Sequence, residues 1–386
     1  MTRSPEAQAP PPSAGPAGDA AAATGELGHL RAEIDRVDRE ILTRLNERAA
    51  LGEQVGRVKA RLGTEVLSAA RERDLVAALR AANPGPFPDA AIEPVFREII
   101  SATRALERPL RIAYLGPAGT FAHEAARRTF GASVELVAVS PIAEIFAAVE
   151  RGAADHGIAP IENTTQGVVT ETYDTLATAE VALCGEALLR VSYQLLSRSG
   201  RLEEVRRVAS HPQGLAQCRS WLDRQLPEAE RVETSSTAAA ARLAAGDGDV
   251  AAVASAVAGE TYGLLPAARA IEDRRDNTTR FLLLGRKPPA RSGADLTSVL
   301  FTVRKAQPGA LHRLLEPFAR HGVNLTAIQS RPMPGKPFEY LFFLDLEGHR
   351  EDAAVEAALA EAAAHAHSHR VLGSFPRAGI GEGAAP

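Results

Sequence analysis

The feature that most constrains this chain is a change of hydrophobic period just after Pro109. Before that point apolar residues recur in steps of three and four: Leu30, Ile34, Val37, Ile41 and Leu45, then Val55. Such steps line one face of a helix. Beyond it, short apolar runs alternate with helical stretches, the pattern of an α/β sheet protein. With 386 residues, there is room for two or three domains. The first helix, starting near residue 26, approaches 35 residues. A helix that long with an open apolar stripe rarely stands alone, which predicts a partner chain.

The helical region continues past a break near Leu62–Gly63–Thr64. A second helix is expected over about 65–82, stopped by Asn83–Pro84–Gly85–Pro86. Asp89 is placed to cap a third helix, about 90–107, with Ile92, Phe96 and Ile99 on one face. Candidate strands follow at Arg111–Leu115, Val134–Val139, Gly157–Ile161, Arg207–Ser210, Val250–Ala254 and Phe281–Leu284. Breakers around Pro288, Pro289 and Gly293 end that unit. The order β-α-β-β-α-β over about 296–376 predicts a ferredoxin-like sandwich. The expected limits are 1–25, 26–108, 110–287, 296–376 and a tail, 377–386. Residues 1–25 are rich in Ala, Pro and Gly, with no apolar stretch after Arg3. They read as a disordered extension rather than a secretory signal.

Composition excludes several classes. A net charge of −4 argues against a nucleic-acid binder. No apolar run approaches the roughly 18 residues of a membrane span. The two cysteines, Cys184 and Cys218, give no disulfide framework, fit the reducing cytoplasm and read as apolar filler. His365, His367 and His369 alternate as one side of a strand would, but no acidic or Cys partner is placed beside them, so no metal site is assigned. There is no Walker loop or GxGxxG sequence, and no cofactor is expected.

On 100° steps with Ile34 at zero, Ile41 falls at about 340° and Leu45 at about 20°. Arg48 falls at about 320° and Lys59 at about 340°, inside the apolar stripe. Two buried like charges are unfavourable unless an anion meets them. An antiparallel partner helix would bring its own Arg31 toward Arg48 and Lys59. Thr103 and Glu107 follow on the Phe96 face of the third helix. On angles alone, these cations could equally snorkel from the edges of an ordinary bundle.

The segment LRAEIDRVDREILTRLNERAALGEQVGRVK, with the later RERDL, resembles the all-helical chorismate mutases. That resemblance implies a carboxylate- and ether-binding role for Arg31 (from the other subunit), Arg48 and Lys59. It implies supporting places for Ser68, Arg71, Glu72 and Thr103, and puts Lys59 and Glu107 at the breaking ether oxygen. Glu107 stands where some members have Gln, so it must be protonated to donate there; Ser68 stands where some have Asp.

In the α/β region, YLGPAGTFAHEAA sets a turn before a helix starting near Thr120, whose amides favour an anion. PIENTTQG places Glu162, Asn163, Thr164 and Thr165 at a strand's carboxyl end, where α/β sheets bind ligands. Caps and turns are the other reading of these Asn and Thr residues. SHPQGLAQC offers Gln213 and Gln217 one turn apart, and DNTTRFLLLG sets Thr278, Thr279 and Arg280 just ahead of a buried strand. These four segments together resemble prephenate dehydratase, a two-lobed α/β fold with its site in the cleft. The resemblance implies Thr279 as donor to the departing hydroxyl, and Glu162, Asn163 and Gln217 as cleft residues, Glu162 a proton source. Arg280 would suit a substrate carboxylate; Thr120 and Thr164 complete the candidate binding set.

Finally, KAQPGALHRLLEPFARHGVNLTAIQSRP resembles the ACT domains of dehydratases. Gly309, Ala310, Leu311 and His312 match one phenylalanine-binding motif; Gln329, Ser330, Arg331 and Pro332 match the other, with Gln329 in place of Glu. The whole implies a multidomain enzyme: an all-α mutase bundle, a two-lobed α/β dehydratase and an α+β ferredoxin-like sensor. It would act on chorismate and prephenate under phenylalanine inhibition, as a cytoplasmic homodimer or larger. The alternatives are a dehydratase, for prephenate or arogenate, whose mutase is weak or structural, and a sensor without catalysis.

Overall fold

The computed structural model describes residues 16–62, 69–106, 108–304, 308–333 and 339–378. The chain divides between its first two helices into two compact units. Helix α1 (Pro16–Leu62) makes up the first. It begins ten residues earlier than the sequence predicts. The Ala20–Ala23 run has the highest intrinsic helix propensity, and Pro is tolerated in a first turn. The apolar stripe of α1 lies open in the single chain: Ile34 is 59% exposed, Ile41 52% and Leu51 61%.

The second unit opens with α2 (Ala69–Ala81) and α3 (Asp89–Ala105). Asp89 is not the cap of α3: Pro88 holds that position, and the Asp89 carboxylate instead accepts from the Asn83 amide at 2.6 Å. Ile92 is buried, and Phe96 and Ile99 half-buried, as the periodicity predicts. Helix α3 docks on residues 128–133, the end of the next helix and the turn after it. Ser101 accepts from the Ser133 amide, and Arg104, 7% exposed, bonds the Phe130 carbonyl.

The first α/β lobe comprises β1 (Arg111–Leu115), α4 (Phe121–Phe130), β2 (Glu135–Val139), α5 (Ile142–Glu150), β3 (His156–Asn163), β4 (Gly167–Val168), α6 (Thr170–Leu176) and β5 (Ala182–Arg190). The second comprises β6 (Gln194–Ser197), β7 (Arg207–Ser210), α7 (Pro212–Gln217), α8 (Arg219–Gln225), β8 (Glu230–Glu233), α9 (Thr237–Gly246), β9 (Val250–Ala254), α10 (Ala256–Tyr262) and β10 (Leu265–Ala268). The chain then returns to the first lobe as β11 (Thr278–Gly285), giving sheets ordered β2-β1-β3-β11-β5 and β10-β6-β9-β7-β8. Strand β11 starts three residues before its apolar run, so Thr278, Thr279 and Arg280 lie within it, not ahead of it.

The C-terminal sandwich is β12 (Asp295–Arg304), α11 (Ala310–Arg320), β13 (Leu325–Pro332), β14 (Glu339–Glu347), α12 (Ala353–Ala364) and β15 (Ser368–Pro376). Its sheet order β13-β14-β12-β15 is antiparallel throughout, as the ferredoxin-like reading predicts. The sheet face away from its helices is buried against the first lobe. Leu300, Phe343 and Phe375 share one core with Ala159, Leu183 and Leu282. Tyr173 meets Phe343 edge-on at 5.0 Å. A Cβ on Gly373 would lie 2.2 Å from the Leu183 carbonyl oxygen, so only glycine fits there. Of the three C-terminal histidines, only His369 lies in β15, stacked on Phe301; His365 ends α12.

Candidate functional site

One chain of amides crosses between the two α/β lobes. Strand β11 pairs with β3 so that Thr279 stands opposite Asn163, and Arg280 opposite Glu162. Side chains alternate faces along a strand. The Asn163 amide therefore donates to the Thr279 hydroxyl at 2.9 Å and to the Asn277 oxygen at 2.7 Å. The Asn277 amide continues to Gln217 of the second lobe at 3.1 Å. The Asn163 oxygen accepts from the backbone amides of Thr165 (2.9 Å) and Gln166 (3.1 Å). All the bonding capacity of Asn163 is thus spent within the protein. It fixes Thr279, whose hydroxyl, occupied as an acceptor, has one hydrogen to donate.

Asn277, 3% exposed, is the residue that sequence reasoning missed. A buried amide costs free energy unless bonded, and here it connects the lobes. The signal was its place beside the two threonines of the same segment.

Several expected residues stand elsewhere or are engaged structurally. Glu162 is exposed and shares the opposite face of the sheet with Arg280 and Tyr173, so it is not poised behind Thr279 as a proton source. Thr120 caps α4, accepting from the His123 amide and sharing its hydrogen between the Leu115 and Pro117 carbonyls. Thr164 ties the strand ends together, donating to the Asp276 carbonyl and accepting from the Thr278 amide. The turn before α4 reaches the second lobe: Tyr262 donates to the Ala118 carbonyl, Ser255 to that of Gly119. Gly119 has φ 88°, and a Cβ there would lie 2.9 Å from the Tyr262 ring. Its amide donates to His123, whose pKa burial pushes down, so the ring accepts as neutral imidazole.

Arg280 does not face the cleft. Its guanidinium lies between Glu186 and Asp345, at 2.7 Å from each, with only 15% of the side chain exposed. Burial opposes its charge, and the two carboxylates more than offset that, raising its pKa.

In the N-terminal region, Arg31 is exposed and Arg48 and Lys59 are half-buried on α1. The latter two are about 16 Å apart along the helix axis, by its rise per residue. In the second unit Arg71 is exposed, Glu72 accepts from Arg104 at 3.0 Å, and the Thr103 hydroxyl donates back to the Ile99 carbonyl. Ser68 and Glu107 lie outside the described residues.

In the C-terminal sandwich, Gly309 precedes α11 with φ 73°, a left-handed conformation that glycine takes without strain. Ala310 is half-buried, while Leu311 and His312 are exposed. Strand β13 forms a sheet edge on which Ser330 and Pro332 are exposed and Gln329 half-buried, its amide bonding the Ser330 carbonyl. Arg331 departs from the expected set: the Nε–Nη2 edge of its guanidinium grips the Asp174 carboxylate of α6, at 2.9–3.0 Å.

Comparison with known proteins fits this division. Family models match for chorismate mutase type II at residues 30–108, prephenate dehydratase at 112–289 and the ACT domain at 297–364. The bifunctional chorismate mutase/prephenate dehydratase of Aquifex aeolicus (strain VF5) is 44% identical over 357 residues, covering 92% of this chain and 98% of that one. The chain belongs to the bifunctional chorismate mutase/prephenate dehydratase family. Its dehydratase and ACT domains resemble the prephenate dehydratase of Arthrobacter aurescens solved with L-Phe: 36% identity, 72% of this chain, 92% of that one, TM-score 0.64. They also resemble GqqA, described as a quorum quenching acylase: 32% identity, 69% of this chain, 98% of that one, TM-score 0.64. The residues around Asn163 and Thr279 thus fall within the dehydratase match, while Arg280 and Arg331 belong to the joint between dehydratase and ACT domains.

Proposed function

We propose that this bifunctional enzyme rearranges chorismate to prephenate within residues 26–108 and converts prephenate to phenylpyruvate within residues 110–287. Residues 296–376 sense phenylalanine. The observation that carries the second reaction is the hydrogen bond from Asn163 to the Thr279 hydroxyl. Prephenate loses its ring carboxylate as CO2. The electron pair of that C–C bond enters the ring and expels the ring hydroxyl, which takes one proton and leaves as water. Thr279 donates a hydrogen bond to that departing oxygen. A Thr hydroxyl is a weak acid, but the Asn163 amide bonded to it strengthens its donation. Asn163, Asn277 and Gln217 hold the donor, and Thr120 and Thr164 hold the loops beside it. Aromatisation supplies the driving force, and the reaction requires no cofactor.

The first reaction is unimolecular and needs only a clamp for the reactive conformer and positive charge at the breaking ether oxygen. Arg48 and Lys59, with Arg31 of a second copy lying antiparallel, supply that charge. The open apolar stripe of α1 favours such a homodimer. Ser68, Arg71, Glu72, Thr103 and a protonated Glu107 are the further candidates the family resemblance supplies.

Phenylalanine would lie where Gly309–His312 meets Gln329, Ser330 and Pro332, its carboxylate at the amides opening α11. That region is largely exposed in one chain, which suits completion by a second copy. Among the described residues no helix is long and apolar enough to cross a membrane. Cys184 and Cys218, neither in a disulfide, suit the cytoplasm. The test is to supply chorismate and follow prephenate and phenylpyruvate with and without phenylalanine. Both products should form, and phenylalanine should depress the second. Failure to release phenylpyruvate from added prephenate would overturn the assignment.

A further inference from the structure

The dehydratase and ACT domains meet over a shared apolar core, yet three arginines are set into that joint. Arg331 holds Asp174, and Arg370 donates to the Leu176, Ala177 and Ala179 carbonyls at the end of α6. Both act as clamps on α6 and the residues after it. Arg280 differs, because it is the neighbour of Thr279 on β11. Its guanidinium bridges Glu186 on β5 of its own sheet and Asp345 on β14 of the ACT sheet. Glu186 is 7% and Asp345 15% exposed, so the triad is shielded from solvent. Each carboxylate is aimed by a second bond: Ser298 donates to Asp345, and the Ala378 amide donates to Glu186 at 3.0 Å. The triad also borders a small cavity lined by Tyr173, Leu183, Ser298 and Phe343, so the joint is not packed solid around it.

The path through these residues is short and contiguous. Strand β13, which carries Gln329, pairs with β14, where Ala327 stands opposite Asp345. Asp345 holds Arg280, and Arg280 is covalently next to Thr279. Interfaces of this kind change by switching between discrete arrangements rather than by continuous deformation. A charge buried with two partners has few alternatives, so movement of β14 must carry Arg280 or break the triad. A movement that carries Arg280 shifts β11 and changes the aim of the Thr279 hydroxyl, whereas a broken triad leaves Thr279 held by Asn163 and uncoupled from the ACT sheet.

We propose that Arg280 is a positioning residue that couples the ACT sheet to Thr279 through Asp345, so that phenylalanine at the ACT domain and prephenate in the cleft weaken each other's binding. The proposal rests on the phenylalanine-sensing reading above. Coupling between two ligands is reciprocal, which gives it two independent readouts. Dehydratase activity on prephenate is to be titrated with phenylalanine for the full-length wild type, Asp345→Asn and Ser298→Ala. Phenylalanine binding is to be measured by calorimetry with and without prephenate, and folding checked by thermal melting. Asp345→Asn should raise the half-inhibiting phenylalanine concentration about tenfold, with uninhibited kcat within about twofold, and should abolish the mutual weakening. Ser298→Ala, which removes only the aim of Asp345, should give a smaller shift in the same direction. A merely structural triad would lower the melting temperature and leave both inhibition and mutual weakening unchanged. That result, in whichever variant folds, overturns the coupling while leaving phenylalanine sensing intact. A wild type that phenylalanine neither binds nor inhibits overturns the sensing reading and the coupling with it.

Discussion

The N-terminal helix and the joined dehydratase–ACT body solve the same burial problem in opposite ways. In α1 the large apolar residues Ile34, Ile41 and Leu51 remain more than half exposed, and the cations Arg48 and Lys59 stand among them. In the dehydratase–ACT body, Phe281, Phe301 and Phe375 are 0–2% exposed, and the residues around Thr279 find their partners within the chain. The contrast teaches that the groups around Thr279 are assembled within one chain, whereas the stripe carrying Arg48 and Lys59 is left open, as the proposed pairing with a second copy requires. The two activities should therefore separate under mutation and under disruption of association.

The sharpest break in that comparison is Thr279→Ala. It should lower phenylpyruvate formation from prephenate by about a thousandfold, within the range for loss of a proton-handling group, while prephenate still accumulates from chorismate. Loss of chorismate and formation of phenylpyruvate can be followed by ultraviolet absorbance, and prephenate by chromatography. Arg48→Ala should do the reverse: mutase turnover falls about a hundredfold, and added prephenate is dehydrated at the wild-type rate. If Arg48→Ala slowed both reactions equally, the division would fail. Ile41→Asp puts a charge into the open stripe of α1. It should cost about tenfold or more in mutase activity at micromolar enzyme and leave the dehydratase within about twofold, with weaker association on sedimentation. Asn277→Ala should lower dehydratase kcat about tenfold with little change in KM, because it removes the bond that aims Asn163 rather than a contact to substrate. Gly373→Ala forces a methyl onto the Leu183 carbonyl and should cost about 1–3 kcal/mol of stability in the dehydratase–ACT body, read as a lower Tm.

Much of this was legible in the residues. The three-and-four spacing around Ile34 located α1, and the buried runs at Arg111–Leu115 and Val250–Ala254 located strands at their observed ends. The β-α-β-β-α-β order located the sandwich. The strands Ala182–Arg190, Gln194–Ser197, Glu230–Glu233 and Leu265–Ala268 were not read. The first contains Gly185 and Glu186, and its place in the sheet comes from pairing with β11 about a hundred residues later, not from local pattern. The same cause hid the true position of Arg280. An apolar run starting at Phe281 sets the visible start of that strand, so Thr278–Arg280 read as loop with both Thr279 and Arg280 facing the cleft. Tertiary pairing extends the strand and sends them to opposite faces, where Asp345, from another domain, claims the guanidinium. Thr120 and Thr164 illustrate a different ambiguity: a hydroxyl at a strand end serves a cap as readily as a ligand, and here both serve the backbone.

The central claim, that the mutase charges are completed by a second chain, is tested most directly by subunit complementation. Arg31→Ala and Arg48→Ala chains, each inactive as a mutase alone, are to be unfolded together, refolded and assayed on chorismate. If Arg31 of one copy serves the site of Arg48 and Lys59 in another, mixed dimers carry one intact site in two, and the mixture should regain about a quarter of wild-type mutase activity. A mixture that stays as inactive as its parents, while still dehydrating prephenate and associating normally, would contradict the account.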